Sequence, residues 1–173
     1  MKAISFFRNR VVVKVLLNCI SAAVLCQCYS FTGGTAPSHI KTVQIMTVTD
    51  ESGFGIQQLR EEFTQKLYEN FRNDNSLSII PQKADSKLTT TIVSIIDGTV
   101  NVRPGEIERE RRVTVTVKSE FYDNIKKKSI FSKNFSNAQI YSALEGQLGR
   151  NSSALKALNQ IADDVVLAAI SGW

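Results

Sequence analysis

Arg111-Arg112-Val113-Thr114-Val115-Thr116-Val117-Lys118-Ser119-Glu120-Phe121 carries an alternating pattern along most of its length. Val113, Val115, Val117 and Phe121 fall on one face, and Thr114, Thr116, Lys118 and Glu120 on the other. Successive side chains of an extended chain point to opposite faces, so this pattern predicts a half-buried strand in an antiparallel sheet. The flanking segments extend the sheet in both directions. Asp123-Asn124 reads as a turn, and Ser129 to Phe135 returns with Phe131 and Phe135 on one side. Upstream, Leu88 to Val102 is rich in β-branched residues, with a break expected near Asp97-Gly98. Pro104-Gly105 reads as the turn between them, since Pro suits the second turn position and Gly tolerates positive φ at the third.

Two amphipathic helices frame this sheet. Ile56, Leu59, Phe63, Leu67 and Phe71 recur at spacings of three and four, which predicts a helix over about 55–72 ending at Asn73-Asp74-Asn75. Leu155, Leu158, Ile161, Val165 and Ala169 predict a second over about 152–170, capped by Asn151 or Ser152 and ended by Gly172. Before the first helix, Ile40 to Val48 reads as a strand stopped by Asp50-Glu51-Ser52-Gly53; after it, Leu77 to Ile80 is a short strand closed by Pro81. The resulting order is β-α-β-β-β-β-α. It predicts an α+β fold with two helices on one face of a mostly antiparallel sheet of four to five strands, in a single domain over 39–173.

The first 27 residues are different in kind. They hold four of the 21 basic residues and none of the 16 acidic ones, so the basic pI of about 9.2 belongs mainly to them and the remainder is close to neutral. That removes the first support for nucleic-acid binding. Lys2, Arg8 and Arg10 precede an apolar run interrupted by Lys14 and Asn18, which is too short and broken for a spanning helix and has the three-part form of a signal peptide, 1–27. All three cysteines, Cys19, Cys26 and Cys28, lie in or just after this run. Removal of the leader leaves one thiol without an internal disulfide partner, and with His39 the sole histidine there is no ligand set for a metal.

Leu25-Cys26-Gln27-Cys28 resembles the lipobox of bacterial lipoproteins. Cys28 as the acylated residue puts Leu25 at −3, with Gln27 at −1 where that pattern prefers Gly, Ala or Ser; Cys26 would put Ala23 at −3 and the bulkier Leu25 at −1. Cys28 is the better fit. Several acyl chains on one cysteine would hold a folded domain at a membrane, because each buried CH₂ contributes roughly 0.8 kcal/mol. Residues 28–38, with Gly33-Gly34 and Pro37, read as the lipidated tether. Tyr29 rather than an acidic residue after Cys28 matches the sorting pattern of outer-membrane lipoproteins.

No catalytic constellation appears. His39 lies in the tether region, Gly53-Phe54-Gly55 lacks the third glycine of a dinucleotide site, and no nucleophile–base motif occurs, so the chain reads as a non-enzyme without a cofactor. The one concentration of potential ligand-binding side chains is Arg103, Arg109, Arg111 and Arg112 around the Pro104-Gly105 turn, interspersed with Glu106, Glu108 and Glu110. Guanidinium groups suit bidentate contact with phosphate, and Lys126-Lys127-Lys128 adds charge in the next hairpin.

Cys28-Tyr29-Ser30-Phe31-Thr32-Gly33, the strand Ile40-Lys41-Thr42-Val43-Gln44-Ile45, the helix after it, Arg112 to Val117 and Phe131-Ser132-Lys133-Asn134-Phe135-Ser136 together resemble the lipopolysaccharide-assembly lipoprotein family LptE in its Bacteroidetes-type form. The resemblance implies a lipoprotein anchored at the periplasmic side of the outer membrane. It implies partnership with an LptD-like outer-membrane β-barrel, which the lipoprotein plugs, and a role in lipopolysaccharide assembly. Arg103, Arg109, Arg111 and Arg112 are then candidate contacts to lipopolysaccharide or to the barrel. The competing expectation is another envelope lipoprotein that activates a protein partner such as a cell-wall synthase.

Overall fold

The computed structural model describes residues 37–100 and 109–171; the leader, Cys28, nearly all of the tether, Arg103, the Pro104-Gly105 turn and Gly172 lie outside them. The described residues belong to one unit, Gly34–Trp173. In chain order they form β1 (Thr42–Ile45), β2 (Thr49–Asp50), α1 (Gln57–Asp74), β3 (Ser78–Ile79), β4 (Ser86–Thr99), β5 (Glu110–Asp123), β6 (Lys128–Ser142), a 3-10 turn (Ala143–Glu145) and α2 (Gly146–Ser171). The α+β order is the expected one, with the short β2 added. The sheet is mixed: its strands run β3-β1-β4-β5-β6, with β2 beside β4. β4–β5 and β5–β6 are long antiparallel pairs, whereas β1–β3, β1–β4 and β2–β4 are short parallel ones. Helix α1 forces part of this. A helical crossover from β1 returns the chain in the same direction, so β3 pairs parallel to β1.

Strand β5 is central to the two longest pairings. Val113, Val115, Val117 and Phe121 are fully buried beneath the helices. Val117 lies opposite Ile92 on one side and Phe135 on the other; Phe121 lies opposite Leu88 and Phe131. The Phe121 and Phe131 rings sit 6.0 Å apart, and Phe131 meets Phe135 edge-on at 6.2 Å. Burying a large apolar side chain contributes about 1.5–3 kcal/mol, so this row is a main source of stability.

The helices follow their apolar stripes. Leu59, Phe63, Leu67 and Phe71 of α1 are buried, and Asn75 ends the helix in the left-handed conformation (φ 59°) with its N–H donating to Phe71 O at 3.1 Å. Helix α2 begins at Gly146, well before the expected 152. Ser152 is no cap; its hydroxyl donates to Gly149 O inside the helix, and it is Ser142 that accepts from Leu144 N to start the 3-10 turn. The stripe of α2 is lined by Ala154, Ala157, Ala162 and Ala169 beside Leu158, Ile161 and Val165, and the small residues let the helix approach the sheet closely. Phe54, just before α1, meets Arg150 near the start of α2, and Asn70 near the end of α1 donates to Asp163 at 2.7 Å. The two helices therefore run parallel, with both N-termini at one end of the sheet.

Strand β4 also differs from its expected form. It is not broken at Asp97-Gly98; Gly98 and Thr99 still pair with Arg112 and Arg111. Its irregularity is a bulge at Val93, between Ile92 and Ser94. Before the bulge Leu88, Thr90 and Ile92 face the helices, and after it Ile95 and Asp97 do, because the extra residue reverses the inward–outward phase.

The chain enters the domain at the opposite end. There His39 Nε2 lies 2.7 Å from Asp123 Oδ2, while Lys41 N and Thr42 N donate to Asp85 Oδ2 at 2.9 and 3.0 Å. Asp123 is buried, and its Oδ1 accepts from Ile125 N and Lys126 N, each at 2.8 Å. Burial opposes the charge of Asp123, but the hydrogen bond from His39 and those two N–H groups outweigh it and hold the carboxyl below its ordinary value. The N–H of Lys41 does the same for Asp85, against a smaller opposing effect of burial.

Both carboxylates have folded-state pKa values below their unfolded ones. Their stabilisation is present above the unfolded value, near 4, and disappears as pH falls through the lower folded value. Asp123→Asn is expected to lower the urea midpoint at pH 7 and to differ progressively less from the parent as pH is taken below about 4. Phe121→Ala, which removes the ring from the centre of the core, is expected to lose about 3–5 kcal/mol in the same measurement.

Candidate functional site: the arginine end of the sheet

The strand period separates the arginines that the sequence brings together. Arg111 lies opposite Thr99 and Tyr141 and turns toward the helices, whereas Arg112, opposite Gly98 and Ile140, turns to the uncovered face of the sheet. Arg109 precedes β5; its carbonyl accepts from Ala143 N at 2.9 Å, and with Glu110, Glu145 and Lys156 it borders a shallow surface depression. Arg103 lies outside the described residues. One four-arginine patch is thus not what the described residues form; Arg111 and Arg112 serve opposite faces.

Arg111 sits in a defined polar cluster. Its Nε–H is shared between Asp97 Oδ1 at 3.1 Å and Tyr141 Oη at 3.0 Å. The Tyr141 hydroxyl donates to Asp97, at 3.1 Å to Oδ1 and 3.0 Å to Oδ2. Burial, and then the hydrogen bond to Asp97, raise the Tyr141 pKa above its ordinary value, so the phenol remains a donor at neutral pH. The cluster exists because of the bulge at Val93. In an unbulged strand Asp97 would face away from Tyr141 and Arg111.

A cavity of about 310 Å³ opens beside the cluster, lined by Asp97, Arg111, Tyr141, Gly146, Gln147 and Arg150. Arg150 is the lining residue that sequence reading missed. It lies four residues before Ala154 and eight before Leu158, in phase with the buried stripe of α2, and that misplaced charge would have been visible had the helix been started at Gly146. Its guanidinium stacks on the Phe54 ring, 4.4 Å from the centroid. Gly149 makes the close approach of α2 possible, since a Cβ there would lie 2.6 Å from Tyr141 Cδ2 and from Glu145 Cβ. Among the described residues no group of three or more His, Cys, Asp or Glu side chains could hold a metal ion, and no helix is long and apolar enough to cross a membrane.

A mixed sheet with one face covered by two parallel helices, and a polar cluster rather than a nucleophile and base at its end, defines a class of small α+β domains. The lipopolysaccharide-assembly family, LptE, matches residues 40–169, most of the chain, and the protein belongs to that family. Solved structures share the fold. CT253 from Chlamydia trachomatis superposes with a TM-score of 0.55 at 12% identity, covering 78% of this chain and 99% of that one. Rare lipoprotein B from Shewanella oneidensis gives 0.53 at 16% identity, over 72% and 92%. A minor lipoprotein from Acinetobacter baumannii gives 0.51 at 10% identity, over 75% and 91%. No curated protein matches by sequence.

Two substitutions probe the cluster. Gly149→Ala is expected to destabilise by about 1–3 kcal/mol in urea unfolding despite the helix preference of alanine, because the added methyl meets Tyr141. Asp97→Ala and Tyr141→Phe are expected to be non-additive by about 0.5–3 kcal/mol in a double-mutant cycle.

Proposed function

We propose that the protein is a lipid-anchored outer-membrane lipoprotein on the periplasmic side. In this reading it partners and plugs an LptD-like β-barrel, assists lipopolysaccharide assembly there, and makes and breaks no covalent bond itself. The observation that carries this reading is the family match across 40–169, which spans both helices and nearly all of the described sheet. The anchor is Cys28, the one cysteine left after cleavage of 1–27, with 28–38 as tether and 39–173 as the working domain.

Physical chemistry supports a binding role. The helices occupy one face of the sheet, which leaves the other, with Arg112, Thr114, Thr116 and Lys118 of β5, available to a partner. Ile96 and Ile140 are more than half exposed on that face, on either side of β5. A polar, hydroxyl-rich surface with a few apolar and cationic side chains suits the wet wall of a barrel interior, which is itself polar. Arg103, Arg109, Arg111 and Arg112 are the proposed contacts to lipopolysaccharide or to the barrel, with Arg111 acting from the helix side through the cavity.

Extraction in mild detergent tests the partnership. The protein is expected to co-purify with a large heat-modifiable outer-membrane barrel; recovery as an isolated monomer while that barrel stays intact would contradict it. Cys28→Ser is expected to move the chain from the membrane fraction to the soluble periplasmic fraction, and mass spectrometry of the parent's mature amino terminus should find an acylated Cys28. An unmodified terminus elsewhere would overturn the anchor.

A further inference from the structure

We infer that Arg150, on its Phe54 seat beside Arg111, forms a binding site for a phosphate-class oxyanion. Arg150 has no ion pair among the described residues, and its Nε is buried without a hydrogen-bond partner. Leaving a buried donor unsatisfied costs about 1–3 kcal/mol, more for a charged group. The fold nonetheless holds this guanidinium in the wall of an open cavity, over the ring of Phe54.

The charges around the cavity leave room for an anion. Among the described residues the lining carries Arg111, Arg150 and Asp97; the Asp97 carboxylate is engaged by Arg111 and Tyr141, which leaves the Arg150 guanidinium without a carboxylate there. Among the described residues Glu110 and Glu145 border the adjoining depression rather than this cavity. The Glu145 carboxylate lies against the first turn of α2 at Gly149. Helix α1 begins next to Phe54 with no acid in its first turn and no side-chain cap, so its N-terminal partial charge adds to the positive potential of this end. A planar guanidinium presents paired N–H donors that match two oxygens of a phosphate.

Apolar side chains point to the form of the ligand. Leu144 and Leu148, in the 3-10 turn and the first turn of α2, are 97% and 82% exposed. They give the same end of the domain an apolar rim suited to the acyl or hydrocarbon part of a phosphorylated amphiphile. Choosing phosphate over carboxylate rests on the lipopolysaccharide-assembly reading; the presence of an anion site does not.

The test is an NMR titration of the full chain carrying Cys28→Ser, so that no acyl group contributes, with inorganic phosphate and separately with monomeric dihexanoyl phosphatidic acid. Both are expected to shift the Arg150 Nε–H and the Gly146–Gly149 amides saturably, and the lipid to bind about ten-fold more tightly through the leucine rim. Arg150→Gln should weaken both by about ten-fold or more, Arg150→Lys should recover part of the loss, and Lys127→Gln in the remote hairpin should change neither. Leu148→Ser should weaken the lipid alone; equal affinity for the two probes would assign the site to a soluble phosphate and remove the amphiphile. No saturable shift in a well-dispersed spectrum, or equal losses in Arg150→Gln and Lys127→Gln, would overturn the site. Barrel co-purification by Arg150→Gln reports on the functional reading separately, since binding of phosphate can fail while partnership persists, and the reverse.

Discussion

One face of β5 must be dry. Val113, Val115, Val117 and Phe121 lie beneath the helices at full burial, and a shift of one residue in register would exchange them for Thr114, Thr116, Lys118 and Glu120. This constraint fixes the partners on both sides. β4 must present Leu88, Ile92 and Ile95 in the same layer, and β6 must present Phe131 and Phe135. Since β4 carries one residue more than its pairing admits, the surplus goes into the bulge at Val93. The polar cluster of Asp97, Tyr141 and Arg111 is a consequence of that accommodation.

Legibility followed the same division. The alternation of β5 and the four-residue spacing of Leu59, Phe63, Leu67 and Phe71 are period signals, and the structure reproduces both. The bulge has no such signal, because Ile-Val-Ser-Ile-Ile is compatible with either phase, and Asp97-Gly98 reads as a break when the pairing that carries the strand through it is unknown. The early start of α2 was hidden for a related reason. Gly146, Gly149, Asn151 and Ser152 have the composition of a loop or cap, yet Gly149 is needed so that the helix can touch Tyr141. Arg111 was readable as a candidate; its separation from Arg112 follows from the strand period alone, but its partners come from segments far away in sequence. The link of His39 to Asp123 spans 84 positions and carries no local pattern.

The two polar ends of the sheet have different characters. At the entry end, His39 pairs with Asp123, and Asp85 and Asp123 accept from backbone N–H groups, which ties residues 39–42 to the rest of the domain. About 40 Å away along β5, the other end combines the Asp97–Tyr141–Arg111 cluster with Arg150, which has no ion pair among the described residues, and two exposed leucines. Cationic and apolar groups thus gather at the end of the sheet away from His39 and Asp123. The family match, 40–169, spans both ends.

Depletion of the protein in its native cell, read by surface staining of lipopolysaccharide alongside analysis of the cell wall, tests the central claim most directly. Surface lipopolysaccharide is expected to fall while peptidoglycan composition is initially unchanged. Normal surface lipopolysaccharide together with altered peptidoglycan would contradict it.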